Sequence, residues 1–211
     1  MEILRIDLNK GYSEEIAFAV EVLKKGGVII YPTDTLYGIG ANALNLVAVE
    51  KIFDIKGRDS SKPIPILARN IKWVKEMAYV NNWEKTLEKI WPGKVTAVLE
   101  KRDIIPNKIT AGGKTVGIRI ADHPLVDKIL AKFGYPLTSS SANISGQEPT
   151  NNIDEIISTF EGRKYKPDLV LDVGTLPKSD PSVVVDFTSN KPKILRVGPS
   201  KPEQLMKILE I

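Results

Sequence analysis

The stretch SEEIAFAVEVLKKGGVIIYPTDTLYGIG, residues 13–40, decides the fold class. Ile16, Val20 and Leu23 recur at helical spacing, Glu14 and Glu15 sit in the first turn, and Gly26-Gly27 stops the run. This predicts an amphipathic helix over 13–25. Residues 28–31, Val-Ile-Ile-Tyr, read as a buried strand. Pro32 breaks it into a polar, glycine-bearing segment over 33–40. A helix feeding a buried strand that opens into such a loop is the unit of an α/β fold, and loops of this kind carry ligand sites.

The alternation continues outward from this unit. A short strand over 3–7 precedes it. Helical spacing covers 47–55, a strand follows at 64–68, and helices are predicted over 71–79 and 83–91, the second ended by Pro92-Gly93. Strands at 95–100 and 116–120 flank a loop over 101–114. Pro124 opens a helix over 124–133, residues 137–141 read as a strand, 143–152 as a loop and 153–160 as a helix. Further strands are predicted at 168–173, 182–187 and 193–197, with a candidate hinge at 174–180. Ser200-Lys201-Pro202-Glu203 is a capping box opening a last helix through Leu209. Interleaved strands and helices without repeat, linker or composition shift predict one α/β domain over 1–211, built on a twisted mixed sheet flanked by helices.

Composition narrows the chemistry. With 211 residues, 42% hydrophobic and 27% charged, the chain is long enough to bury a core and too apolar to be disordered. The absence of cysteine excludes disulfides, thiol nucleophiles, iron–sulfur clusters and cysteine-type zinc sites. The lone histidine, His123, excludes a two-His metal site, so no protein-held metal is expected. In Ala121-Asp122-His123-Pro124 it reads as a turn or helix start. No apolar run approaches the ~20 residues that span a bilayer, and residues 1–10 do not form a signal peptide, which predicts a soluble, cytoplasmic protein without a membrane partner. Thirty Lys and Arg against 26 Asp and Glu leave a net charge of +4, compatible with a polyanionic ligand.

Gly112-Gly113-Lys114-Thr115 imitates the end of a phosphate-binding Walker loop. Position 108, where that loop requires glycine, is lysine, and a strand follows, so a flexible turn is predicted. No Gly-x-Gly-x-x-Gly follows a strand either. Three other clusters hold the chemistry. Lys56, Arg58 and Lys62 place three cations within seven residues, and Gly57 permits close backbone approach. In an extended segment Lys56 and Arg58 share a side, roughly 6.6 Å apart, and grip one anion together. Read alone, the segment is also a solvated basic turn balanced by Asp54 and Asp59. The run 138–146, Thr-Ser-Ser-Ser-Ala-Asn-Ile-Ser-Gly, sets Ser141 and Asn143 on one side. With no base nearby these are hydrogen-bonding groups rather than nucleophiles, or members of a turn-rich loop. The run 31–40 adds hydroxyls, a carboxylate and aromatics after a strand end.

In this order and at these separations, the three clusters resemble the YrdC-like threonylcarbamoyl-adenylate synthase family. Thr115-Val116-Gly117-Ile118-Arg119, Pro181-Ser182-Val183-Val184-Val185-Asp186 and Ile194-Leu195-Arg196-Val197-Gly198 extend the resemblance from about Gly11 to Leu209. Its most specific element is the pairing of Lys56-x-Arg58 with Ser141-x-Asn143. The chain departs from the family pattern at Asp59, where members often have proline, at Ser140, where proline is usual, at Leu67, where many have histidine, and at Val183, where threonine is usual. Longer members add a second domain after a linker, which this chain is too short to hold.

The resemblance implies a basic concave cavity and synthesis of L-threonylcarbamoyl-adenylate and pyrophosphate from L-threonine, bicarbonate or CO2, and ATP. The product then serves a tRNA-modifying transfer machinery. Two anionic partners must meet, so the site needs cations and oriented donors more than a protein nucleophile. By position, Thr35, Arg119 and Ser139 fall to the threonine side, Arg119 suiting a bidentate carboxylate contact. Arg58, Lys62, Thr115, Ser141, Asn143 and Arg196 fall to the ATP side. Lys56, with Arg58, is expected to neutralise the reacting charge, and magnesium to bridge the phosphates with water as its other ligands. Tyr37 could line the cavity, whereas Tyr31 reads as core. Two alternatives remain: a carbamoyl-adenylating enzyme of other specificity, and an RNA-binding or ribosome-assembly module without catalysis, binding tRNA or double-stranded RNA with an affinity that would fall steeply with salt.

Overall fold

Helix α1 (Ser13–Lys24) forms where the sequence predicts it, burying Ile16, Ala19, Val20 and Leu23. The structure, a computed structural model, describes residues 1–198 together with 205, 207 and 209, so the capping box at 200–203 lies outside the described residues. Leu205 and Leu209 are helical and buried in the core.

The strands divide into two mixed sheets. The first runs β1 (Glu2–Arg5), β10 (Leu169–Asp172), β2 (Ile29–Tyr31), β3 (Gly38–Gly40) and β9 (Ser140–Ser141). The second runs β12 (Lys193–Arg196), β11 (Val183–Asp186), β6 (Val95–Lys101), β7 (Thr115–Arg119), β4 (Ile66–Leu67) and β8 (Leu137–Thr138), with β5 (Ala78–Tyr79) against β6. The mixed character matches expectation. The single strand expected over 137–141 does not form, because its two halves pair in different sheets. Leu137 and Thr138 pair with β4, whereas Ser140 and Ser141 pair with β3. Ser139 is the crossing point, its N–H donating to the Pro65 carbonyl at 2.7 Å.

Alternation of side chains along the strands sets the layers. Ile29, Tyr31, Leu169 and Leu171 pack with α1 and α5 (Pro124–Phe133) on one face of the first sheet. Ile30 and Val170 point to the other face, into a core shared with α2 (Leu46–Lys56) and α6 (Ile153–Phe160). Each fully buried aliphatic side chain here contributes about 1.5–3 kcal/mol. α3 (Ile71–Met77) stops earlier than the periodicity suggests, because Ala78 turns extended to pair with β6. A 3-10 turn (Asn81–Trp83) precedes α4 (Glu84–Ile90). His123 caps α5, its Nδ1 accepting from the Leu125 N–H at 3.3 Å, which accounts for the lone histidine as a helix start.

Candidate active site at the junction of the two sheets

Because the chain changes sheets at Ser139, the ends of both sheets meet around one cavity of about 190 Å³. The β2–β3 loop brings Thr33 and Thr35, the crossing segment brings Ser139 and Ser141, and the second sheet brings Thr96, Arg119, Ser182 and Arg196. Arg58 enters from the turn after α2. Among the described residues, three arginines and no carboxylate line the cavity. A larger cavity of about 430 Å³ lies between α4 and α5, but its walls are mainly apolar, with Leu87, Trp91, Ile120 and Leu130 among them. The smaller cavity holds the convergent donors, and it is the candidate site.

The loop that opens the site is shaped by a close approach. The Tyr31 ring lies over the backbone of β3, so that a Cβ on Gly38 would come 2.9 Å from Tyr31 Cζ, and one on Gly40 2.6 Å from Cε1. The Tyr31 hydroxyl donates to the Thr138 carbonyl at 3.0 Å and the Tyr37 hydroxyl to the Gly174 carbonyl at 2.6 Å. Burial pushes the Tyr37 hydroxyl up to about 12, so both tyrosines stay neutral pins.

Arg119 is held on three sides. Its Nε donates to the Gly93 carbonyl (2.9 Å), Nη1 to Thr35 Oγ1 (2.9 Å) and Nη2 to Asp34 Oδ1 (2.5 Å). A guanidinium carries five N–H groups, so one on each terminal nitrogen remains for a ligand. Thr33 uses its only hydroxyl proton on the Leu36 carbonyl at 2.6 Å, so Thr35 is the donor in the 3.1 Å contact between the two hydroxyls. Thr35 thereby presents its lone pairs to Arg119 in a fixed orientation. Among the described residues, Asp34 Oδ2 is buried with no partner.

The other two arginines are pinned from behind. Arg58 Nη2 donates to the Pro63 carbonyl (2.9 Å), and Arg196 Nε and Nη2 to the Ser182 carbonyl (3.1 and 2.8 Å). Burial lowers both guanidinium pKa values. Asp59 opposes the effect at Arg58, whereas the like charge of Arg119 adds to it at Arg196. Arg119 and Arg196 repel across the cavity, and an anion between them relieves that repulsion.

Lys56 sits differently from the expectation drawn from an extended segment. It is the last residue of α2, and Gly57 follows as a left-handed cap (φ 55°) with open space around it, so Gly57 serves its φ and not a close approach. The Lys56 ammonium turns inward, 1% exposed as a residue, and donates to the carbonyls of Ser141 (2.5 Å) and Asn143 (2.6 Å). Burial, and secondarily the Arg58 charge, pull it down to about 7. It braces the cavity wall from behind rather than facing a ligand. Asn143 belongs to the same brace, its Oδ1 accepting from Ser141 Oγ at 2.5 Å.

The structure therefore brings Thr35, Arg58, Arg119, Ser139, Ser141 and Arg196 to the cavity. It places Lys56 and Asn143 one layer behind. Lys62 and Thr115 are not on the wall; Lys62 contributes its carbonyl to Arg58 Nε at 3.5 Å, and Thr115 lies at the opposite end of β7 from Arg119. Sequence reasoning missed Thr33, Thr96 and Ser182 as lining residues. Thr33 and Ser182 stood within quoted motifs, but Thr96 carries no signal beyond being the one polar residue in the apolar run Val95–Leu99 of β6.

A family model named Sua5_yciO_yrdC, with the description telomere recombination, matches residues 21–198. The chain belongs to the Sua5/YciO/YrdC family. A Methanocaldococcus jannaschii member is 40% identical over 190 residues, covering 88% of each chain. The Bacillus subtilis threonylcarbamoyl-AMP synthase is 33% identical over 198 residues, which are 92% of this chain and 56% of that relative. The crystal structure of P. abyssi Sua5 complexed with L-threonine superposes with a TM-score of 0.90 at 30% identity, over 99% of this chain and 60% of that one. The chain thus spans little more than half the length of those two Sua5/YciO/YrdC proteins. Relatives named as synthases at this similarity mark the chain as an enzyme of the family. Among the described residues no helix is long and apolar enough to cross a membrane.

Proposed function

We propose that this chain is an L-threonylcarbamoyladenylate synthase, making threonylcarbamoyl-AMP and pyrophosphate from L-threonine, bicarbonate or CO2, and ATP. The observation that carries the reading is the cavity at the sheet junction, which among the described residues has three anchored arginines, a ring of hydroxyls and no lining carboxylate. Such a site suits two anions that must be brought together without a protein nucleophile. The P. abyssi Sua5 complex with L-threonine supports the amino-acid half of the reading.

In this reading the two remaining N–H groups of Arg119 take the threonine carboxylate as a bidentate pair, with Thr35 and Ser139 beside it. The neutral amine of threonine forms an N–C bond to CO2 as one C=O π bond opens, and its proton passes to solvent, leaving a carbamate anion. A carbamate oxygen then forms a bond to the α-phosphorus of ATP, the bond from that phosphorus to the bridging oxygen breaks, and pyrophosphate leaves with the electron pair. Arg58, Arg196 and Ser141 neutralise and orient the phosphates, while Lys56 and Asn143 keep Ser141 in place. Magnesium would arrive with the phosphates, at a wall that carries the hydroxyls of Ser141 and Ser182, and bound there it would neutralise phosphate charge. The product feeds a tRNA-modifying transfer step.

Pyrophosphate release from ATP, bicarbonate and magnesium is measured with threonine, with serine and with no amino acid. Threonine-dependent release exceeding that with serine is expected. Binding of ATP without release under any of the three conditions would overturn the synthase reading in favour of a binding module.

A further inference from the structure

The cavity of about 430 Å³ between α4 and α5 has no part in the synthase reading, yet its volume falls within the ~300–1,000 Å³ typical of small-molecule sites. It is separate from the candidate active site, because no described residue lines both. Leu87, Trp91, Ile120, Val126 and Leu130 make its wall apolar. The Trp91 Nε1–H donates to the Val95 carbonyl at 2.7 Å, so the indole keeps no free donor and meets a ligand as apolar surface.

Charge at this cavity is one-sided. Arg69, Glu88, Asp122 and Asp127 line it. Arg69 Nε donates to Asp127 Oδ1 at 2.9 Å, which sets the one cation against one carboxylate. Glu88 and Asp122, both exposed, form no ion pair among the described residues. His123 also lines the cavity, and burial holds its pKa below the ordinary value against the opposing fields of Asp34 and Asp122, so near pH 7 it adds no charge. Two carboxylates therefore stand uncompensated beside an apolar wall.

The same wall is the scaffold of Arg119. The Ala68 N–H donates to the Arg119 carbonyl at 2.9 Å, the Gly93 N–H to the Ile120 carbonyl at 2.9 Å, and Arg119 Nε to the Gly93 carbonyl at 2.9 Å. Ala68, Ile120 and Pro92, the neighbour of Gly93, all line the cavity. Arg119 thus faces the active site from a backbone whose other side is this cavity.

We propose that the cavity is a second ligand site, that it takes a small amine with an apolar body whose ammonium is drawn to Glu88 and Asp122, and that its occupancy is coupled to threonine binding through Arg119. The coupling rests on the synthase reading above, whereas the site itself does not. An apolar body packed on both Pro92 and Ile120 binds best when those segments hold their hydrogen-bonded arrangement, which is also the arrangement that positions Arg119. Each ligand therefore tightens the other, by the same factor.

Binding of 2-phenylethylamine to the full chain is titrated beside 2-phenylethanol and 3-phenylpropionate, which keep the apolar body and make the polar end neutral or negative. The amine is expected to bind saturably, about fivefold or more tighter than the alcohol at low salt, with the carboxylate weakest. Replacing both Glu88→Gln and Asp122→Asn should bring amine and alcohol to within about twofold of each other, with an unchanged melting temperature as the check on folding. Carboxylate binding as tight as that of the amine, or a preference that survives the double substitution, overturns the amine assignment. No saturable binding by any of the three overturns the site. The threonine Kd is then measured with and without saturating amine, and a tightening of about threefold or more is expected, with threonine tightening the amine equally. An unchanged threonine Kd overturns the coupling. Failure of threonine to bind at all overturns the synthase reading and the coupling with it, while the comparison of the three probes still decides the site.

Discussion

Asp34 and Arg119 form an ion pair buried on both sides, with Oδ1 2.5 Å from Nη2 and side chains only 10% and 6% exposed. The pair ties the β2–β3 loop of the first sheet to the end of β7 in the second, across the candidate site. A buried guanidinium needs a counter-charge, and here one flank supplies it while the cavity side stays open to a ligand.

Asp34→Asn removes that counter-charge and keeps the shape. Breaking a buried pair costs about 3–5 kcal/mol, and the lower end is expected because the amide oxygen still accepts from Arg119. The carboxylate of bound threonine would then supply the missing charge. The variant should melt well below the wild type yet show the larger rise in Tm on adding threonine. Equal shifts in the two proteins would show that threonine does not sit on Arg119.

Arg119→Lys keeps a positive charge but cannot serve Gly93, Thr35 and Asp34 at once while leaving two donors for a ligand. Loss of one charged bidentate contact, about 3 kcal/mol, corresponds to a roughly hundredfold fall in kcat/KM for threonine. Steady-state kinetics at saturating ATP would read it. A fall below threefold would remove Arg119 from the substrate contacts.

Lys56 makes stability depend on pH. Its pKa is about 7 in the folded chain and close to its ordinary value when unfolded, so between about pH 7 and 10 the unfolded state binds more protons. Stability contributed by this residue therefore rises with pH through that window and is lowest below pH 7, with a slope on the order of 1 kcal/mol per pH unit at most. Urea unfolding of the wild type and Lys56→Met across pH 6–10 should show the wild type gaining relative to the variant. A flat difference would mean that the Ser141 and Asn143 carbonyls hold the ammonium at its ordinary pKa.

Two glycines should respond to alanine for different reasons. Gly40→Ala would drive a Cβ to 2.6 Å from the Tyr31 ring and 2.8 Å from the Thr138 carbonyl, and a cost of about 3 kcal/mol is expected from overpacking. Gly57→Ala meets open space, and only its φ of 55° is penalised, by about 1–2 kcal/mol. Denaturant midpoints would rank them. The reverse order would place the constraint at the helix cap and not at the tyrosine.

Much of the site was legible in the sequence. Arg58 and Ser141 stand in polar clusters that the residues alone single out, whereas Thr35, Arg119, Ser139 and Arg196 are reached only through the family resemblance; the structure sets all six on the cavity wall. What could not be read was depth. Lys56 looked like a partner of Arg58 because an extended segment puts both on one side, but α2 runs one residue further than 47–55 and turns the ammonium into the wall. Lys62 and Thr115 matched the motifs and still lie off the wall, since membership of a motif sets neighbourhood along the chain and not direction in space.

The sequence by itself determined the local elements. Periodicity, capping and glycine stops placed α1, α5 and α6, and composition excluded thiol and two-His metal chemistry, because these depend on contacts a few residues apart or on which residue types are present. Only the tertiary structure decided that 137–141 is shared between two sheets with Ser139 at the crossing. Strand partners are chosen by pairings distant in sequence, such as Gly38 with Ser141 and Leu67 with Leu137, and no local pattern encodes them. That crossing brings Asp34 to Arg119 and the three arginines to one cavity. The chemistry is written in the residues, and the junction that gathers them is a property of the folded chain.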